Sequence, residues 1–218
     1  MTQAGTSGDS GSRGGFVLVG GHSTRMGRDK ALLEFQGSTL AGRVAECVRR
    51  VAGNVTLIGP PDRYRELGYT VIPDRIPGCG PLGGVYTALS ASHAEWNLMV
   101  ACDMPLVTTQ LFEALFTDVF SDAESGPSTV DCVIPELVAR GPERVTTGSE
   151  FTTTGEGSRL DPLCAVYHRR CATAARRAID RKIFKMHDFV STLRIRKHPV
   201  AEPALLSNIN TPPEWSSL

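Results

Sequence analysis

The sequence predicts an α/β fold: a single doubly wound, mostly parallel sheet with helices on both faces. Three observations predict it. Short continuous apolar runs alternate with stretches of helical periodicity along most of the 218 residues, glycine-rich turns follow several of those runs, and the runs are unbroken in the way that strands covered on both faces require. A chain of this length that is 41% hydrophobic has material for one sizeable core, so one domain is expected.

Residues 1–14 are mostly Gly, Ser, Thr and small polar residues, which bury too little apolar surface to offset ordering entropy, and a disordered tail ahead of a domain at 15–218 is expected. Phe16 to Val19 reads as the first strand, stopped by Gly20-Gly21. Thr39 to Val51 places Leu40, Val44, Cys47, Val48 and Val51 at helical spacing, and Val55 to Ile58 is the next strand. A short helix at Arg63 to Leu67 and a strand at Thr70 to Ile72 lead to Gly78-Cys79-Gly80-Pro81-Leu82-Gly83-Gly84, with a helix after it to about His93. Asn97 to Ala101 is a strand, halted by Cys102-Asp103-Met104-Pro105, and Thr108 to Phe120 is a helix with Thr108 as N-cap. Val138 to Arg159 loses all periodicity and reads as a loop or an irregular hairpin. Leu163 to Tyr167 resumes as a strand, Cys171 to Ile179 and Phe184 to Leu193 are helical, and Leu205 to Ile209 reads as a late strand. In such a sheet, ligands bind at the carboxyl ends of the strands.

Charge gives no general anion-binding surface, since 23 Lys+Arg balance 23 Asp+Glu; nucleic acid and membrane are not expected partners. No apolar run approaches a membrane span or a signal-peptide core. The six cysteines form no C-x-x-C pair and several sit in apolar runs, as reduced thiols of a cytoplasmic protein would.

Five places carry candidate chemistry. Leu18-Val19-Gly20-Gly21-His22-Ser23-Thr24-Arg25-Met26-Gly27-Arg28-Asp29-Lys30 follows a strand, so its glycine N–H groups can approach an anion while Arg25 and Lys30 add charge. Gly21 to Gly27 is one residue too long for a Walker loop, Arg28 stands where that loop has Lys, and the loop itself holds no G-x-G-x-x-G. Asp103, at the end of an apolar strand, suits Mg²⁺ through hard carboxylate oxygens, or else is a turn aspartate. Cys102 beside it reads as a small core residue. Asn208 and Asn210 would share one side of a strand, while Thr211 and Glu214 form a capping box with Pro212 at the first helical position. Gly80 to Gly84 reads from its residues as a turn followed by tight helix packing. Arg169 to Lys197 holds ten basic residues against Asp180 and Asp188, mostly solvated faces, with a subset able to attract an anionic phosphate or an acidic protein.

L-x-G-G-x-S-x-R-M-G-x-D-K, then G-P-L-G-G, C-D-M-P and a C-terminal N-I-N-T-P, resembles the molybdenum cofactor guanylyltransferase family, within the glycosyltransferase-A-like nucleotidyltransferases of Rossmann-like fold. The resemblance runs from about Phe16 to Glu214. It implies GMP transfer from GTP to molybdenum-molybdopterin with release of pyrophosphate, and Mg²⁺ on Asp103. It further implies nucleotide contacts at Leu18, Val19, Gly20, Gly21, Lys30, Asp74, Gly83 and Asp103, catalytic roles for Lys30, Arg25 and Asp103, and a pterin side at Asn208 and Asn210. Other cofactor-biosynthesis proteins and acceptor molybdoenzymes are the partners such an enzyme would meet. Val19 stands where alanine is usual, and Gly59 near where a nucleotide-contacting asparagine is often seen. A cytidylyltransferase of the same cofactor, a sugar-phosphate nucleotidyltransferase and a non-catalytic nucleotide-binding protein stay open as alternatives.

Overall fold

Phe16 and Leu18 turn to one side of a sheet and Val17 and Val19 to the other, and each pair meets its own layer of helices. The structure is a computed structural model and describes residues 13–20, 29–120, 129–138, 152–154 and 158–209. Strand β1 (Arg13–Leu18) leads to a small hairpin, β2 (Glu34–Phe35) and β3 (Ser38–Thr39), and to helix α1 (Leu40–Ala52). β4 (Thr56–Ile58) is followed by the single turn α2 (Pro61–Tyr64), a 3-10 turn at Arg65–Leu67, and β5 (Thr70–Ile72). Helix α3 (Pro81–Ala91), β6 (Trp96–Ala101) and α4 (Thr109–Phe120) complete the first half. The second half has β7 (Cys132–Leu137), β8 (Thr152–Thr154), β9 (Ser158–Leu160), β10 (Cys164–His168), α5 (Cys171–Asp180), α6 (Met186–Val190) and β11 (Ile195–Val200).

The sheet order is β5-β4-β1-β6-β10-β7-β9-β8, with β11 on the other edge of β7. β5, β4, β1 and β6 are parallel, β7 and β11 are parallel to each other, and β9 and β10 alone run against the rest among the described strands. The sheet is therefore mixed but mostly parallel, and the carboxyl ends of β1, β4, β5 and β6 share one edge.

Helices α1 and α4 cover one face, and α3, α5 and α6 cover the other. Helix α1 forms because Leu40, Val44, Val48 and Val51 fall on one face, all buried, and because the Thr39 hydroxyl accepts from the Gly42 N–H at 3.0 Å. Thr108 caps α4 as expected, accepting from Leu111 N–H at 3.3 Å. Phe112 and Phe116 of α4 are fully buried; truncating either to Ala would cost about 3–5 kcal/mol.

The structure departs from the sequence reading in several places. β1 starts at Arg13, three residues before Phe16, and Gly14 and Gly15 lie inside it. A Cβ on Gly14 would sit 2.4 Å from Asn97 Oδ1 and one on Gly15 2.4 Å from the Asn54 carbonyl oxygen, so close packing places glycines here. Residues 1–12 of the expected tail lie outside the described residues. α3 begins at Pro81, making Pro81-Leu82-Gly83-Gly84 its first turn; proline at the first helical position is preset for this. Within the polar stretch 138–159, β8 and β9 pair antiparallel, the hairpin alternative. The helix expected over Phe184 to Leu193 is only Met186–Val190. The late strand at Leu205 to Ile209 is absent: Pro203–Leu206 forms a 3-10 turn, and burial of Leu206 and Ile209 from an irregular segment mimics strand patterning. The capping box at Thr211 lies outside the described residues.

β7 and β11 have no counterpart in the sequence reading. β11 is an edge strand, which tolerates Pro199, and its charges are met locally: Lys197 Nζ donates to Glu136 Oε1 at 2.7 Å and His198 Nδ1 lies 2.9 Å from Asp118 Oδ2. Arg170 and Arg194 pair with Asp131 and Arg176 with Asp180. Much of the basic segment is thus committed to structural ion pairs. All six cysteines are unpaired thiols. Among the described residues no helix is long and apolar enough to cross a membrane.

Candidate active site

The first wall of the site is the end of β1. Leu18 and Val19 are buried, the Val19 N–H donates to the Ile58 carbonyl at 3.0 Å, and Gly20 emerges exposed. Gly21 and Arg25 lie outside the described residues. The chain resumes at Asp29, whose Oδ1 accepts from Ala31 N–H at 3.1 Å and so caps the 3-10 turn Lys30–Leu32 that carries Lys30. The two ends of this segment are held by one side chain that the sequence reading missed. The Tyr64 hydroxyl lies 2.7 Å from the Val19 carbonyl oxygen and 2.7 Å from Asp29 Oδ2, with one proton to share between them. Burial first, and then the Asp29 carboxylate, hold that hydroxyl well above its ordinary pKa. Gly59 closes the same corner: a Cβ there would meet Val19 Cγ2 at 2.8 Å and the Gly20 nitrogen at 3.3 Å. Val19 and Gly59 therefore pack against each other, the valine side chain occupying room that a side chain at 59 would need.

The second wall is the segment after β5. Asp74 is half-buried, and its Oδ1 accepts from the Thr87 hydroxyl of α3 at 2.9 Å, while Thr87 Oγ1 accepts from the Arg75 N–H at 2.9 Å. Burial raises the Asp74 pKa and the Thr87 hydrogen bond partly offsets the rise. Gly83 packs under this loop, where a Cβ would lie 3.0 Å from the Ile76 carbonyl oxygen. Close approach of α3 to the loop accounts for glycine at 83 without any ligand.

The third wall lies beyond β6. Cys102 N–H donates to the Leu18 carbonyl at 3.1 Å, extending the β1–β6 pairing by one residue and delivering Asp103 to the strand's carboxyl end. Asp103 Oδ1 is buried and has no hydrogen-bond partner among the described residues. Burial lifts the Asp103 pKa, and the nearby Lys30 charge and its own backbone amide only partly offset this. Cys102 is held well above the usual thiol range by burial and then by Asp103, which fits a packing role rather than a reactive one. The Asp103 carbonyl accepts from Ile209 N–H at 2.9 Å, so the C-terminal segment crosses directly over the site with Asn208 beside it, its Oδ1 also buried and unpartnered among the described residues. Asn210 lies outside the described residues.

A second carboxylate, Asp161, is also drawn in. It stands in the break between β9 and β10, only 3% exposed, and its Oδ2 has no hydrogen-bond partner among the described residues. Burial pushes its pKa up to about 6, opposed by the Arg159 charge and reinforced by Asp103. An aspartate inside the apolar run Leu160-Asp161-Pro162-Leu163-Cys164 was the available signal, masked because Asp-Pro reads as a turn.

The two described ends of a glycine-rich, basic segment, a helix-backed aspartate and a buried carboxylate thus lie at the strand ends where nucleotides bind in doubly wound sheets. The model of the MobA-like NTP transferase domain matches residues 15–195. The chain belongs to this family. Like the other MobA-like NTP transferases it is a nucleotidyltransferase, and several curated relatives match it over at least 90% of the chain. A probable molybdenum cofactor guanylyltransferase of Flavobacterium johnsoniae is 29% identical over 205 residues, covering 93% of this chain and 94% of the relative. One from Pelotomaculum thermopropionicum is 31% identical over 208 residues, covering 91% and 87%. The solved molybdopterin-guanine dinucleotide biosynthesis protein A of Archaeoglobus fulgidus shares the fold, with TM-score 0.67 and 23% identity over 93% of this chain and 95% of that one.

Proposed function

We propose that this chain transfers GMP from GTP to molybdenum-molybdopterin, forming the guanine dinucleotide form of the cofactor and releasing pyrophosphate. The observation that carries the reading is Asp103, a buried carboxylate with an unpartnered oxygen at the carboxyl end of β6, close to Lys30. The names of the relatives support the pterin acceptor, and the second glycine of Leu18-Val19-Gly20-Gly21 supports guanine over cytosine.

Asp103 and Asn208 each offer a hard oxygen lacking a donor, a donor set that fits Mg²⁺. Bound there, Mg²⁺ would neutralise charge on the GTP phosphate oxygens. The chain's own groups do the rest. Gly20 and Gly21 present backbone N–H groups to the phosphates, Leu18 and Val19 floor the nucleotide, and Asp74, oriented by Thr87, faces the nucleotide side. A terminal phosphate oxygen of the pterin bonds to the α-phosphorus as the bond to the bridging oxygen breaks, and pyrophosphate leaves with that electron pair. Lys30 and Arg25 stabilise the departing charge, so no protein nucleophile is needed. Asn208 and Asn210 offer amides to the pterin side. Unpaired thiols suit the reducing cytoplasm, where acceptor molybdoenzymes and other cofactor-biosynthesis proteins would meet the product.

The test is pyrophosphate release from GTP, CTP, ATP and UTP separately, with and without molybdenum-molybdopterin. GTP alone should support release, and only with the pterin. A preference for CTP would reassign the product as the cytosine dinucleotide, and silence with all four would leave a nucleotide-binding protein without turnover.

A further inference from the structure

Three buried oxygens without hydrogen-bond donors among the described residues belong to three different segments: Asp103 Oδ1, Asp161 Oδ2 and Asn208 Oδ1. Backbone bonds stitch those segments together. Ala101 N–H donates to the Leu163 carbonyl at 2.8 Å, and Ile209 N–H donates to the Asp103 carbonyl at 2.9 Å. Arg159 Nη2 donates to the Leu206 carbonyl at 2.6 Å. Asp103, Asp161 and Asn208 therefore each stand within two residues of a cross-link at the carboxyl end of β6.

The chain gives up regular pairing to put Asp161 there. β9 and β10 both run antiparallel along the same edge of β7, and they would be one strand but for residues 161–163. At the break Asp161 N–H donates to the Pro135 carbonyl at 3.2 Å, and Asp161 Oδ1 accepts from Leu163 N–H at 3.2 Å. One carboxylate oxygen thus serves the local turn, as an Asx turn requires. The other accepts no hydrogen bond among the described residues, and the Arg159 charge near it does not outweigh its burial. A turn alone would be served equally by Asn or Ser, which bring no buried charge, whereas an unsatisfied buried carboxylate is costly unless a cation compensates it.

We propose that Asp161 is a ligand of the divalent cation assigned to Asp103, giving the site two protein carboxylates and the Asn208 carbonyl oxygen. This rests on the reading of Asp103 as a cation ligand. Two carboxylates and an amide are enough to hold a hard divalent cation before any triphosphate arrives, whereas a site with one carboxylate would depend on substrate phosphates.

The full chain without nucleotide is titrated with Mn²⁺, and free Mn²⁺ is followed by electron paramagnetic resonance. Wild type should bind one ion, and Asp161→Asn and Asp103→Asn should each weaken binding by at least about tenfold, with thermal midpoints in the absence of metal no lower than wild type. Asp161→Ser, which keeps an oxygen for the Leu163 amide, serves if the Asn variant folds poorly and should weaken binding equally. If the Asp161 variants bind as wild type while Asp103→Asn does not, Asp161 is a turn residue and this inference is overturned, with the reading of Asp103 intact. If Asp103→Asn also binds as wild type, both fall.

Discussion

Asp103 and Asp131 stand at opposite ends of the sheet, and their surroundings differ in kind. Asp103 follows the last residue of β6, while Asp131 precedes β7, whose first residue, Cys132, pairs with Tyr167, itself opposite Asn97 near the start of β6. Asp131 is saturated: Arg170 Nε reaches Oδ1 at 2.7 Å, Arg194 Nη2 reaches Oδ1 at 3.1 Å, and Arg194 Nε and N–H both reach Oδ2 at 3.0 Å. Burial works against its charge, but the Arg194 side chain and amide and then Arg170 outweigh it, so its pKa lies well below the usual carboxylate range. Asp103 has one oxygen with no partner among the described residues, and its pKa is raised. A carboxylate that the fold completes is a staple; one that it leaves incomplete is a request for a ligand. Net charge hides the distinction, since both are aspartates at strand ends.

The contrast breaks most decisively at Asp103. Asp103→Ala should cut pyrophosphate release by at least about a thousandfold while the melting temperature holds or rises; retention of most turnover would remove the functional end of the comparison. Asp131→Ala should do the reverse, losing about 1–2 kcal/mol in urea unfolding because the Arg194 N–H and two exposed arginine side chains lose the acceptor they share, with kcat per folded molecule unchanged. An unchanged urea midpoint would show that the network is ornamental.

pH sharpens the same difference. Because the folded pKa of Asp131 is depressed, its stabilisation is fully present above its unfolded value of about 3.9 and is lost as pH falls through the lowered folded value. Wild type should therefore lose stability steeply below about pH 4, and Asp131→Asn should flatten that limb; parallel curves would count against the network. The smallest effect belongs to Tyr64→Phe, which removes one buried hydroxyl and should cost about 1 kcal/mol, together with a severalfold rise in KM for GTP at constant kcat. A fall in kcat with KM unmoved would place Tyr64 in the chemistry instead.

The first half of the fold was legible because its signals were local: α1 announces itself through Leu40, Val44, Val48 and Val51, and β6 through an unbroken apolar run. The second half depends on partners distant in sequence. β11 carries Arg196, Lys197 and His198 in succession, and Glu136 of β7 with Asp118 of α4 makes that run tolerable in a strand. Gly14 and Gly15 carry the composition of a tail, yet Asn97 and Asn54 press against them. In the site, Asp103 and Asn208 follow from their place after a strand and in a distinctive C-terminal motif. Tyr64 and Asp161 do not, because what selects them is a pair of acceptors 35 and 45 residues away in one case and a broken strand in the other.

The Tyr64 hydroxyl has a thermodynamic consequence beyond its two contacts. Val19 and Asp29 are ten positions apart, and bringing the ends of such a segment together costs on the order of 2 kcal/mol in chain entropy. A side chain that grips both ends meets that cost during folding, when burial of the ring offsets it, rather than during encounter with a triphosphate. More of the triphosphate's binding energy is then left to distinguish the transition state from the ground state.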